Sequence, residues 1–130
     1  MQTTVDYWLA LCEYDLETAK VMQKGSRYLY VGFMCHQVAE KGFKAIIAQK
    51  SNEIPPKIHD LQKLAERGGV LDELSAEQSS LIDELMPLQI EARYPEYKEK
   101  ISKKSSDKYC ENLIEETEAL LCWIKQWLKK

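Results

Sequence analysis

His36, Gln37, Glu40, Lys41 and Lys44 fall within one stretch, CHQVAEKGFKAI at residues 35–46, whose apolar spacing is that of a helix. A carboxylate set among an imidazole and two ammonium groups has two uses. Neutralised among themselves, the groups form a structural ion-pair strip. Left open on one side, the cations grip a phosphate or carboxylate and the imidazole moves a proton. At 100° per residue, Gln37, Glu40, Lys41 and Lys44 share an arc of roughly 100°, with Met34, Cys35, Val38, Ala39, Ala45 and Ile46 on the broad opposite side. Glu40 precedes Lys44 by four positions, the favourable order for an ion pair of about 0.3–0.5 kcal/mol, and His36 precedes Glu40 by four. Tyr30 and Phe33 lie on or beside the same arc, where rings next to lysines can stack a base. Spacing leaves both readings open: a solvent-facing charged stripe, or a surface for an anionic ligand.

The elements that position this strip read as helices throughout. Val5, Trp8, Leu9, Cys12, Leu16 and Ala19 repeat at helical spacing, so a first helix is expected from about Thr4, its cap, to Gln23, stopped by Gly25. The second runs from about Arg27 to Gln49 and ends before SNEIPPK. A short third, His59 to Arg67, exits through the left-handed conformations that Gly68 and Gly69 supply. Ser75 with Gln78 makes a capping box that opens a fourth helix. Pro87 predicts a kink or break near Met86 before that helix finishes at Arg93. Ser106 or Asp107 caps the last helix, whose Cys110, Leu113, Ile114, Thr117, Leu120, Leu121, Ile124 and Leu128 form one apolar stripe. No useful length alternates with period two, so strands are not expected. Three long and two shorter helices give an all-α, antiparallel up-down bundle, one domain over residues 1–130.

Composition narrows the function classes. The chain has 130 residues, 45% apolar and 30% charged, with five Gly and four Pro, which fits an ordered helical globule. A formal charge of −3 excludes a general polycation, so any nucleic-acid contact must come from a local patch. Lys98, Lys100, Lys103, Lys104 and Lys108 form one such patch, whereas six acids and no bases lie between Asp72 and Glu91. Cys12, Cys35, Cys110 and Cys122 are widely spaced, with no C-x-x-C pair, and read as free thiols in a reducing cytoplasm. The longest apolar runs, YWLALC and YLYVGFMC, are too short for a signal core or a membrane span.

Three segments in order, FMCHQVAEKGFKAI on the second helix, PPKIHDLQKL after it and ARYPEY after the fourth, join YWLALCEYDLETAKVM at the start to carry a resemblance. Together they resemble the HEPN (higher eukaryotes and prokaryotes nucleotide-binding) family over nearly the whole chain. The resemblance implies a bundle of four or five antiparallel helices without a cofactor or metal. It also implies a homodimer that often pairs with a minimal nucleotidyltransferase. Many members are metal-independent ribonucleases, the toxin halves of toxin–antitoxin pairs. Their signature is an Arg, four to six residues, then a His, the Arg holding the scissile phosphate and the His serving in acid–base catalysis.

This chain departs from that signature. Its arginines are Arg27, Arg67 and Arg93, its histidines His36 and His59, and only Arg27 precedes a His, with eight residues between. The family pattern still couples the second-helix strip with the HDL and RYP segments. A shared cleft would therefore draw on Gln37, Glu40, Lys41, Lys44, Lys57, His59, Asp60, Arg93 and Tyr94. Arg93 is expected to give a bidentate contact either to a phosphate or to Glu40, with Lys41 and Lys44 as point charges. The resemblance with its missing motif implies a dimeric nucleotide-binding or interaction module that pairs with the nucleotidyltransferase. The alternative is a ribonuclease with displaced residues, His59 as acid–base group beside Arg93. The aromatic residues Trp8, Trp123 and Trp127 offer interface anchors or core.

Overall fold

The computed structural model describes residues 3–51, 54–93 and 106–130, apart from the side chains of Glu91 and Arg93. Five α-helices carry the described residues, and no strand is present among them. Helix α1, Thr4–Lys24, opens on a capping box: the Thr3 hydroxyl accepts from the Asp6 N–H at 3.0 Å, and the Asp6 carboxylate accepts from the Thr3 N–H. The cap therefore falls one residue earlier than expected. The acid that completes the box stands three residues after Thr3, whereas Tyr7 follows Thr4 at that distance.

At the other end of α1 the left-handed residue is Ser26, φ 61°, rather than Gly25. The Arg27 N–H closes the turn on the Met22 carbonyl at 2.7 Å, and α2, Tyr28–Ser51, sets off antiparallel to α1. Helix α2 is the centre of the molecule. It packs on α1, on α3 (Leu61–Arg67), on α4 (Ala76–Arg93) and on α5 (Asp107–Leu128), and nearly every residue from Cys35 to Ala48 is buried. Two glycines admit those neighbours. A Cβ on Gly32 would lie 2.6 Å from Leu88 Cδ1 of α4, and one on Gly42 would lie 2.7 Å from Ile124 Cδ1 of α5.

Helix α3 starts two residues later than expected because Asp60, not a residue before His59, caps it, accepting from the Lys63 N–H at 3.1 Å. Gly69 alone takes the left-handed conformation at its exit, with φ 77°, while Gly68 stays right-handed. A 3₁₀ turn at Leu71–Glu73 follows, and the Ser75–Gln78 box opens α4 as expected. The predicted interruption at Pro87 does not break α4, which runs on as one helix to Arg93. Leu81, Ile82, Leu85 and Leu88 are buried around it, and each such side chain contributes about 1.5–3 kcal/mol, enough to hold the helix across one missing hydrogen bond. Ser106 caps α5, whose buried stripe is the expected one from Cys110 to Ile124. Lys125 pairs with Glu13 of α1, and the Trp127 indole N–H donates to Glu73 at 3.2 Å. No helix among the described residues is long and apolar enough to cross a membrane.

Candidate functional site

The charged residues of α2 do not form the solvent-facing stripe that a helical projection suggests. Glu40 is 3% exposed, Lys44 6% and His36 0%, because α2 has neighbours on every side. A carboxylate taken out of water is costly unless it is paired and hydrogen-bonded, and Glu40 is both. Its Oε2 accepts from Lys44 Nζ at 2.9 Å, one turn further along the same helix. Its Oε1 meets His59 Nδ1 at 2.9 Å, from the segment that leads into α3. His36 Nδ1 stands 3.7 Å from the same oxygen. The Lys44 ammonium also lies over the Trp8 ring of α1, 5.7 Å from its centroid, a cation–π contact that replaces part of its lost hydration.

Lys41 goes elsewhere. One residue on from Glu40 it is turned by about 100°, and its Nζ bonds Asp15 Oδ2 of α1 at 2.5 Å. Asp15 is itself 6% exposed. The strip thus divides into two internal ion pairs facing different neighbours. Asp15 was the signal for the second pair: an acid on the Cys12–Leu16–Ala19 stripe of α1 has to meet a cation inside the bundle.

Of the other residues singled out by the sequence, Gln37 is half-buried, Lys57 is exposed, and Asp60 uses its carboxylate as the α3 cap. Arg93 is the last residue of α4; its side chain, Tyr94 and the lysines from Lys98 to Lys104 lie outside the described residues. Tyr30 is 46% exposed, and Phe33 is partly buried. Trp123 and Trp127 pack against the core.

His59 has the most chemical potential in this group. Its side chain is 50% exposed, and the Glu40 carboxylate, which can only accept, fixes the proton on Nδ1 and leaves Nε2 as the basic nitrogen. Two clefts lie away from it. One of about 620 Å³ between α4 and α5 is lined by residues including Ser75, Leu81, Glu84 and Glu116. Another of about 630 Å³ includes Thr3, Leu9, Ala48 and Lys125. Among the described residues no three His, Cys, Asp or Glu side chains are placed to hold a metal ion.

The cysteines are free thiols, three of them buried. Burial pushes the Cys12 and Cys35 thiols up to about 12, with Asp15 adding to the effect at Cys12, and pushes Cys110 up to about 11. None of these is a nucleophile near neutral pH.

The model of the HEPN domain family matches residues 5–127, a span that runs from the first turn of α1 to the last turn of α5. The chain belongs to the HEPN domain family. No curated protein and no solved structure matches it. Within the HEPN domain, the two regions that the sequence pattern couples, the second helix and the segment before the third, meet at Glu40 and His59.

Proposed function

We propose that this HEPN chain is a noncatalytic, dimeric interaction module of the cytoplasm that pairs with a minimal nucleotidyltransferase in a toxin–antitoxin type system. One observation carries the reading: the two cations of the α2 strip are neutralised internally, Lys41 by Asp15 and Lys44 by Glu40, so the strip offers no uncommitted charge to a phosphate. Missing the Arg/His signature, the chain also lacks the sequence basis for the ribonuclease activity of its relatives. Free cysteines suit a reducing compartment. Affinity purification from the native host, followed by native mass spectrometry, is expected to find a nucleotidyltransferase at fixed stoichiometry. Recovery of the chain without such a partner at any salt concentration argues against the pairing.

A nucleotide ligand in this module would have to draw on Lys57 and Arg93, or displace Glu40 from Lys44. Calorimetry with ATP, GTP and short oligonucleotides is expected to show no affinity that depends on Lys44. A loss of binding in Lys44→Ala would restore the strip as a phosphate site.

The Glu40–His59 pair favours a second reading, a ribonuclease with displaced residues. A half-exposed imidazole oriented by a carboxylate is the arrangement a general base requires. Arg93 would supply the cation on the phosphorane. RNA incubated with the protein in EDTA separates the readings, because a metal-free mechanism survives chelation. Cleavage abolished by both His59→Ala and Arg93→Ala establishes the enzyme; intact RNA leaves the interaction module.

A further inference from the structure

Helix α1 exposes three large side chains: Tyr7, whose ring stands edge-on to Trp8, is 51% exposed, Tyr14 72% and Val21 64%. They stand at i, i+7 and i+14, and a seven-residue repeat keeps side chains in line along a partner helix. Ala10 and Glu17, exposed, and Leu11 and Thr18, half-buried, fill the positions between them, Glu17 pairing with Lys20 at its edge. The Thr18 hydroxyl already donates to the Tyr14 carbonyl at 2.9 Å, so this residue can be covered without stranding a donor.

We propose that this face is the seam of a homodimer in which α1 packs antiparallel on α1 of a second copy, with the two-fold axis passing at Tyr14. The inference deepens the dimeric reading above and rests on it. Reversed about Tyr14, Tyr7 of one copy falls on Val21 of the other, Ala10 falls on Thr18, Leu11 falls beside the stem of Glu17, and Tyr14 meets Tyr14. Ala10 and Thr18, four residues on either side of the axis, let the helices approach to the usual 8–10 Å.

Charge selects the antiparallel direction. The first turn of α1 carries Asp6 and the last turn carries Lys24, with Arg27 just beyond, and all three are exposed. An antiparallel copy sets the basic end of one helix beside the acidic end of the other and opposes the helix dipoles. A parallel copy would set like charges together at both ends. A foreign partner would not need the reversal of sign along the helix; an antiparallel second copy does.

Sedimentation equilibrium and light scattering on the full chain over a wide concentration range test this. The wild type is expected to sediment as a dimer and Tyr14→Arg at half that mass with unchanged helical circular dichroism, because the substitution places two like charges on the axis. Tyr14→Cys in a Cys122→Ser background is expected to give a disulfide-linked dimer on mild oxidation, since a residue on a two-fold axis meets itself. A Tyr14→Arg protein that stays dimeric, together with a Tyr14→Cys protein that does not cross-link, overturns the seam and leaves the dimer. A wild type that is monomeric at every concentration overturns both.

Discussion

The inner face of α2 and the outer face of α1 have exchanged the roles that their residue types suggest. The α2 strip contains His36, Glu40, Lys41 and Lys44 and is largely enclosed; the α1 stripe contains Tyr7, Tyr14 and Val21 and faces water. Polarity did not assign these faces; the number of packed neighbours did. A helix with four neighbours has no solvent-facing side to spare, so its charged residues must find partners within the bundle. A helix at the edge keeps one side open, and large apolar groups left there mark a contact surface.

Substitutions in the two regions should therefore differ by several-fold in their effect on stability. The largest effect is expected from Glu40→Ala, which leaves Lys44 buried without its counter-charge and should cost about 3–5 kcal/mol in urea denaturation. A cost under 1 kcal/mol would mean that the network contributes little and would weaken the contrast. Next comes Gly32→Val, which drives new carbon atoms into Leu88 and should cost about 1–3 kcal/mol by the same measurement. It tests whether close neighbours on α2 are what encloses its charges.

The buried thiols sharpen the comparison through pH. With a folded value raised from 9.0 to about 12, the neutral Cys35 thiol favours the fold. That contribution is complete below pH 9 and is lost as pH rises towards 12. At pH 10 the loss is about 1.4 kcal/mol, one pKa unit's worth. Chemical denaturation at pH 8 and pH 10 should show the wild type losing that much more than Cys35→Ala, and parallel losses would count against so dry a core. The smallest effect belongs to α1: in the monomeric state Tyr14→Ser should change stability by no more than about 0.5 kcal/mol. A larger loss would show that Tyr14 already has a partner inside its own chain.

Much of the fold was legible in residue spacing. The Ser75–Gln78 box and the Ser106 cap are local pairs within one turn, so the sequence displays both partners together. The α5 stripe from Cys110 to Ile124 was legible for the same reason, since one periodic face needs only one direction of burial. The break offered at Pro87 did not occur, a local penalty being outweighed by the packing of Leu85 and Leu88. In the candidate site, the Glu40–Lys44 pair was visible as an i,i+4 contact. The hydrogen bond from His59 and the pairing of Lys41 with Asp15 were not, because their partners lie 19 and 26 residues away.

The amino-acid order alone determined that this chain is helical, where most of its helices start and stop, and that Glu40, Lys44 and the HDL segment were worth joining. These follow from hydrogen bonds and periodicities that act within a few residues. Only the tertiary structure decided that α2 is central, that Lys41 and Lys44 are neutralised inside, and that α1 keeps an aromatic face open. Those outcomes depend on which helix lies against which, and so on contacts that no window along the chain contains.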